Sequence, residues 1–315
     1  MSKISIVFPV YNEEGNLEFL YNQVKEALIS INIDYEMIFV DDGSLDNSLS
    51  IIKALRKQDN RVIYISLSRN FGHQNALFAG LSYCTGDAVI TMDADLQHPP
   101  VLIPKMIELW KQGNEVVYTT KKNAELPFIK NFIVKCAYWI ISKLSGLKLQ
   151  FGQSDFRLID KAVLKIILNI PEYHKFLRGQ ISWVGFKQTG LNFDVEPRYK
   201  GKAKYSYKSL FFLALDGIFS FSRYPLHVVT LMGVTIALIS FMYMVYDVLY
   251  PWALKFFLNS DILLPPGWAT LVVAVFFLGS VQLIAIGILG EYVGRIFDQT
   301  KGRPVFIVKE KSFNL

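Results

Sequence analysis

Two runs near the C-terminus constrain this chain more than anything else in it. Leu226–Tyr246 (LHVVTLMGVTIALISFMYMVY) and Trp268–Gly290 (WATLVVAVFFLGSVQLIAIGILG) contain no Asp, Glu, Lys or Arg. As helices rising about 1.5 Å per residue, each can cross the roughly 30 Å hydrocarbon layer of a bilayer. Two buried core helices are the alternative, but the uninterrupted length of both runs weighs against it. The sequence therefore predicts two transmembrane helices. Arg223 precedes the first run, while Arg295, Lys301, Arg303, Lys309 and Lys311 follow the second. The loop Pro251–Gly267 between them (PWALKFFLNSDILLPPG) carries only Lys255 against Asp261. Positive residues collect on the cytoplasmic side, so both termini are expected there and the chain reads as a multi-pass membrane protein. The N-terminus opens directly on a strand-like run without the pattern of a signal peptide, in agreement.

Ahead of the spans, apolar runs alternate with helical patterns. Ile4–Val10, Tyr35–Val40, Val62–Leu67, Ala88–Met92 and Val116–Thr120 read as strands. Helices are expected near Glu14–Ile31, Leu45–Gln58, His73–Cys84 and Pro100–Gln112. Strands that are apolar on both faces belong to a mainly parallel sheet covered by helices, an α/β domain.

Each of the first four strands ends in a polar cluster: Tyr11-Asn12-Glu13, Asp41-Asp42, Ser68-Arg69-Asn70 and Asp93-Ala94-Asp95. Parallel strands share one carboxyl edge, where ligands bind open α/β sheets, so the four clusters are expected to line one crevice. GxGxxG and GxxxxGK[ST] are both absent, which argues against a typical nicotinamide enzyme and a P-loop nucleotidase. The net charge of +6 suits an anionic leaflet. The basic residues are scattered and no nucleic-acid motif accompanies them, so no nucleic-acid partner is expected. Cys84 and Cys136 have no metal spacing and read as small buried hydrophobes in a reducing compartment.

Asp93 and Asp95 would lie on one side of an extended chain and offer hard oxygen donors to Mg²⁺ or Mn²⁺. The competing reading is a helix cap, since Pro99-Pro100 open the next helix. Arg69, Asn70 and Gly72 precede a helix whose N-terminus could hold anionic oxygens or sugar hydroxyls, with capping by Asn70 as the alternative. His73 and His98 read as structural histidines, neither having an evident metal partner.

Six stretches together resemble the family 2 glycosyltransferases of the GT-A fold: 8-FPVYNEE-14, 40-VDDGSLD-46, 68-SRNFGHQNALFAG-80, 91-TMDADLQHPP-100, 154-SDFRLID-160 and 178-RGQISWVGF-186. Within that family they are similar to the polyprenyl-phosphate glycosyltransferases, such as bacterial undecaprenyl-phosphate glucosyltransferases and dolichyl-phosphate mannose synthases. The resemblance implies a Rossmann-like catalytic domain and a bound Mg²⁺ or Mn²⁺. It assigns Pro9 and Tyr11 to the base, Glu13 to the ribose, and Asp42 with nearby Val40 to the nucleobase. Asp93, Ala94, Arg69 and Asn70 join them around the nucleotide-sugar, and Asp95 and Gln97 complete the metal set begun by Asp93. Asp155 stands where relatives place a catalytic residue at the acceptor, alongside the metal-bearing Asp95. Ser154 replaces the Gly that many relatives carry before it. A phosphate monoester has its second pKa at about 6, so such an acceptor scarcely needs a base and Asp155 can instead orient it.

The resemblance also assigns a lipid-phosphate site. Lys121 stands where relatives often carry Arg, Arg157 can pair with phosphate or with Asp155, and 198-RYKGKAKYSYK-208 is similar to an acceptor loop supplying Arg198 and Lys204. Phe128–Leu149 and Ser206–Arg223 mix cationic, aromatic and aliphatic residues and read as interfacial helices, with core helices as the alternative. The processive signature QxxRW is missing, which implies transfer of one sugar. The expected organisation is therefore 1–205 GT-A domain, 206–225 juxtamembrane helix, 226–290 two-helix anchor and 291–315 cytoplasmic tail. The expected reaction is inverting transfer from a UDP-sugar, foremost UDP-glucose, to undecaprenyl phosphate. The product would feed lipopolysaccharide or O-antigen modification across the membrane. GDP-mannose or a UDP-aminosugar or aminopentose are alternative donors, and a non-catalytic nucleotide-sugar-binding adaptor is the alternative class. The helices beside the spans leave room for a homo-oligomer.

Overall fold

A computed structural model describes residues 2–121, 152–194, 222, 224–258 and 268–313. Two compact units emerge: Met1–Ser220 with Gly302–Leu315, and Phe221–Lys301.

The first unit is an α/β sandwich. Its strands are β1 Lys3–Val10, β2 Asp34–Asp41, β3 Val62–Leu67, β4 Ala88–Thr91, β5 Val116–Lys121, β6 Gln153–Asp160, β7 Gln188–Phe193 and β8 Val308–Lys311. They form one sheet in the order β7-β5-β6-β4-β1-β2-β3-β8. The central block β4-β1-β2-β3 is wholly parallel, and β7 is parallel to β5. β6 runs antiparallel to both β4 and β5, and β8 antiparallel to β3. The expected mainly parallel α/β sheet is present, in a mixed form.

Why the central strands are apolar throughout is visible in the core. Ile4, Ile6, Phe8 and Val10 face one side, packed with helices α1 (Leu17–Ile29), α2 (Ser48–Gln58) and α4 (Ile103–Lys111). Val7, Ile38, Val40 and Ile65 face the other, packed with α3 (His73–Ser82), α5 (Lys161–Leu168) and α6 (Leu177–Trp183). Phe8 stacks on Phe39 with ring centres 4.7 Å apart. Gly80 lets α3 lie against the sheet: a Cβ there would come within 2.3 Å of Val7 Cγ1 and 2.9 Å of Val40 Cγ2.

The segment 302–313, read in the sequence as tail, belongs to this unit. β8 closes the β3 edge, and Val305, Phe306, Val308 and Phe313 pack onto the α3 side of the core.

The second unit contains two long helices, α7 (Tyr224–Leu258) and α8 (Trp268–Thr300), which include both apolar runs. Among the described residues one segment, Ala274–Thr300, is long and apolar enough to cross a membrane, and Tyr224–Ser240 forms a shorter apolar stretch. Leu231, Leu238, Phe276 and Leu283 expose more than half their surface, as a lipid-facing helix would. Arg198, Lys204, the loop 198–208 and the two interfacial segments, apart from Ser222, lie outside the described residues.

Candidate active site at the carboxyl edge of the sheet

The loops leaving β1, β2 and β3 are knitted into one rim. Asn12, at φ 54°, accepts the Leu45 amide on Oδ1 at 2.8 Å, and its own amide donates to Ser44 Oγ at 3.0 Å. The Glu13 amide donates to Ser48 Oγ at 2.9 Å, and the Asn47 amide to Glu14 Oε2 at 3.0 Å. Asp42 is buried, and its two carboxylate oxygens accept the amides of Phe71 at 2.7 Å and Gly72 at 3.0 Å. Burial raises the Asp42 pKa, against the pull of those two N–H groups. Asp42 therefore shapes the 68–72 loop, a role the sequence did not reveal. Asp41 does similar work, accepting the Ser44 amide and the Ser66 hydroxyl.

Gly43 makes this contact possible. At φ +70° it lies so close to the neighbouring loop that a Cβ would sit 2.7 Å from Arg69 C and 2.8 Å from Asn70 N. Gly43→Ala is expected to lower stability by roughly 2–4 kcal/mol through backbone strain and collision. Chemical denaturation reads the loss, and wild-type stability in the variant would refute the rim.

The alternatives based on capping do not hold. Gly72 (φ 93°, ψ 154°) is the N-cap of α3, with no side-chain cap, so Asn70 is not one. Ser68, Arg69 and Asn70 are exposed at the rim, with the Arg69 guanidinium 4.6 Å from the Phe71 ring centre. Asn16 is the N-cap of α1, which leaves Glu13 ahead of the first turn, where its Oε2 accepts from Asn16 Nδ2 at 2.7 Å. Pro9 pairs with Val40 in the sheet and both are buried, whereas Tyr11 is partly exposed.

β4 stops at Thr91, so Asp93 and Asp95 do not occupy the extended strand the sequence suggested. A turn at Ala94-Asp95 is followed by Leu96 at φ 63°. Side-chain alternation nevertheless survives: Ala94, Leu96 and His98 are buried, while Asp93, Asp95 and Gln97 are partly exposed. The Asp95 Oδ1 accepts the Gln97 amide at 3.2 Å. Neither aspartate caps the following helix, whose short 3₁₀ lead-in at Pro100–Leu102 has Pro99 as its N-cap.

Buried His98 anchors this turn. Its Nδ1 accepts the Asp93 amide at 3.2 Å and its Nε2 lies 2.6 Å from Ser154 Oγ. With Nδ1 accepting, the ring is the neutral tautomer that donates from Nε2. Burial lowers its pKa in the same sense. Ser154, the departure from Gly noted above, is thus the partner of His98, and the ring stacks on Phe156 at 5.3 Å.

Asp155 arrives from β6. Because β6 is antiparallel to β4 with Thr91 opposite Arg157, Asp155 lies at the level of Asp93. Thr91 Oγ1 donates to the Asp155 carbonyl. The Asp155 side chain is 8% exposed, and Arg178 grips both oxygens, Nε to Oδ1 and Nη2 to Oδ2, each at 2.7 Å. His73 Nε2 stands 3.4 Å from Asp155 Oδ2 and 3.4 Å from Asp93 Oδ1, and so bridges the two carboxylates. Arg157 is buried behind them, donating to the Ser154 carbonyl at 2.7 Å and lying 3.7 Å from Asp155. Lys121, at the end of β5, is partly exposed and donates its amide to Gly152 O. Burial opposes the charge on Asp155, but Arg178 and then His73 outweigh it and hold the carboxyl well below the usual range. Burial also opposes charge on His73, yet Asp93 and Asp155 raise its pKa to about 9.

The sign of that shift sets a pH window. A raised folded-state pKa contributes stability that is complete below the unfolded value near 6.5 and is lost as pH rises through about 9. The stability gap between wild type and His73→Gln should therefore shrink by roughly 1–3 kcal/mol between pH 6 and pH 9.5. Urea titrations in chelator would measure it, since a cation would compete for Asp93. A gap independent of pH would remove the charged-histidine bridge.

The chemistry of the donor set fits a divalent cation only in part. Asp93 Oδ1 is a buried oxygen that makes no hydrogen bond, its contact with His73 being an ion pair at 3.4 Å, and Asp95 is close in sequence on the same accessible side. Among the described residues no group of three or more His, Cys, Asp or Glu could enclose a metal. A cation here would need further oxygens from the ligand it accompanies, which suits Mg²⁺ or Mn²⁺ carried by a diphosphate.

A family model described as glycosyl transferase family 2 matches residues 5–166, which takes in the strand-end loops and Asp155. An uncharacterized glycosyltransferase of Synechocystis sp. is 41% identical over 309 residues, covering 98% of this chain and 95% of that protein. An uncharacterized glycosyltransferase of Bacillus subtilis is 41% identical over 313 residues, 99% of this chain and 94% of its own. The bactoprenol glucosyl transferase of Shigella phage SfX is 38% identical over 312 residues, 98% of this chain and 99% of that one.

Proposed function

The chain belongs to glycosyl transferase family 2 and is a glycosyltransferase related to the bactoprenol glucosyl transferases. From that premise we propose that it transfers one glucose from UDP-glucose to a polyprenyl phosphate, undecaprenyl phosphate first among them, with inversion. The observation that carries this reading is the meeting of Asp93, His73, Asp155 and Arg178 beside Asp95, at the edge where the loops of β1–β3 converge.

The rim formed by residues 11–14, 42–48 and 68–72 would hold the nucleotide, Asp42 acting through the loop it shapes. Asp93 and Asp95, with Gln97 alongside, would hold Mg²⁺ or Mn²⁺ jointly with the diphosphate. Such a cation supplies Lewis-acid stabilisation of the leaving group's charge. An acceptor phosphate oxygen forms the new bond to the anomeric carbon while the carbon–oxygen bond to the diphosphate breaks, and that electron pair leaves with UDP. A phosphate that is already largely dianionic near neutral pH needs no proton removed. Asp155, held ionised by Arg178, serves as a fixed negative group at the reacting centre. The cations around it offset its repulsion of the incoming phosphate, so positioning and electrostatics supply the catalysis.

Membrane attachment through two spans fits the same picture. Residues on both sides of Phe221–Lys301 belong to the sheet unit, which supports a reading in which the chain enters and leaves the bilayer on the same side. In that reading Ala274–Thr300 is one span and α7 the other. Catalytic domain and tail then share the cytoplasmic face that the positive residues favour.

The test is transfer of radiolabelled sugar by the purified protein to undecaprenyl phosphate, across a panel of UDP- and GDP-sugars. The expected product is lipid-linked glucose from UDP-glucose. Preference for GDP-mannose or a UDP-aminosugar would change the donor, and no product from any would favour a nucleotide-sugar-binding adaptor.

A further inference from the structure

We propose that Arg178 is the positioning residue for Asp155, setting the plane of its carboxylate at the reacting centre; this rests on the transfer reaction proposed above. Around Asp155, each packed element contributes a group. Helix α3 gives His73 and Gln74, each 3.4 Å from Oδ2. β6 itself gives Arg157 at 3.7 Å, already engaged with the Ser154 carbonyl. Only α6, among these, makes two short charge-assisted bonds, through Arg178 to both oxygens at 2.7 Å. A single contact leaves a carboxylate free to rotate about its terminal torsion, whereas a fork of two parallel N–H···O bonds fixes that plane.

Arg178 is itself held where it is needed. It sits in the first turn of α6, and the amide of its neighbour Leu177 donates to Gln74 Oε1 at 3.2 Å. Gln74 reaches Asp155 with its other amide atom, so α3, β6 and α6 are joined at a single carboxylate. Leu177 and Ile181, on the adjoining face of the helix, are buried in the core. A pair retained for stability alone has no need of this alignment, because burying two charges repays its desolvation poorly. The Arg178 side chain also keeps 24% exposure, so the pair lies at the wall of the crevice and not beneath it.

Steady-state transfer by Arg178→Lys, Arg178→Gln, Asp155→Asn and the double variant Asp155→Asn/Arg178→Gln tests this. Arg178→Gln is expected to lose about 10²-fold in kcat, the scale on which misplacing one reacting group acts, with KM for UDP-glucose within about twofold. Arg178→Lys should recover part of the loss, keeping charge without the fork. The double variant should be no slower than Asp155→Asn alone, since Arg178 acts through Asp155. Sub-denaturing guanidinium should restore Arg178→Ala and leave Asp155→Asn/Arg178→Ala unchanged. Losses that multiply, or wild-type kcat in Arg178→Gln, overturn the proposal. Should Arg178→Gln fail to fold, Arg178→Lys and the guanidinium rescue decide: full activity in the first or no rescue in the second counts against it. Absence of transfer by the unaltered chain with every donor removes the underlying reaction and this role together. Transfer by the unaltered chain with equal rates in the variants removes only the role.

Discussion

Asp95→Asn should lose transfer by roughly 10³-fold or more while melting like the wild type, because the substitution removes charge and keeps shape. The side chain is partly exposed in the turn after β4, and its Oδ1 accepts the Gln97 amide. Asparagine retains that acceptor oxygen, so the change in stability should stay within about 0.5 kcal/mol. The function of the site suffers far more. The turn holds two carboxylates, so removing one would halve the charge it offers the divalent cation of the proposed reaction. A loss of 4 kcal/mol in leaving-group stabilisation corresponds to roughly 10³ in rate. Calorimetric titration of Mn²⁺ in the presence of UDP should show weakened binding in the variant, and chelator should silence the wild type. Full activity of Asp95→Asn, or a wild type indifferent to chelator, would end the metal assignment. Asp93→Asn is less clean a test, since it also breaks the contact with His73.

How much of this was legible beforehand differs from strand to strand for physical reasons. β1 to β5 were readable because helices on both faces demand apolar residues at nearly every position, and ISIVFPV or VIYISL departs from that only at Ser5 and Ser66. β6 was not, because Asp155 and Arg157 interrupt SDFRLID and look like a loop. In the fold both are buried strand residues, sheltered by Arg178 and the Ser154 carbonyl. β8 was hidden for another reason: an edge strand reading VKEK has almost no apolar signal. At the site, the four strand-end clusters share the carboxyl edge of the parallel block, as their positions after the strands implied. Their partners did not show, because His73, Asp93, Asp155 and Arg178 are brought together from α3, the turn after β4, β6 and α6. His73 and His98 looked alike in the sequence and differ in charge only through what surrounds them. One is flanked by two carboxylates and the other is sealed between Ser154 and Phe156.

Deleting residues 302–315 should cost the sheet unit most of its stability, although these residues follow the apolar helices and resemble a dispensable tail. β8 pairs with β3 at Ile65–Lys311, Ser66–Glu310 and Leu67–Val308. Ser312 continues the contact, its amide donating to Tyr64 O at 3.0 Å and its hydroxyl accepting the Tyr64 amide at 3.0 Å. Lys53 pairs with Glu310 at 2.6 Å, an exposed contact that adds little. The apolar share is larger: Phe306 meets Phe78 at 6.3 Å between ring centres and Phe313 meets Tyr83 at 5.5 Å. Hydrogen bonds contribute about 0.5–1.5 kcal/mol each and each aromatic side chain roughly 1.5–3 kcal/mol, so the segment is worth on the order of 5–8 kcal/mol. A domain of this kind has about 5–15 kcal/mol in all. The deletion also uncovers the β3 edge, an open template for pairing with another chain. It reaches the candidate site as well, because the Ser68 amide donates to Ile307 O at 2.9 Å immediately before Arg69 and Asn70. The truncated protein should aggregate or melt far below the full chain and retain little transfer. Phe306→Ala, a milder change at a partly buried ring, should cost about 1–3 kcal/mol and leave the protein folded. A truncated chain that stayed monodisperse with wild-type melting and activity would make β8 ornamental to the sheet.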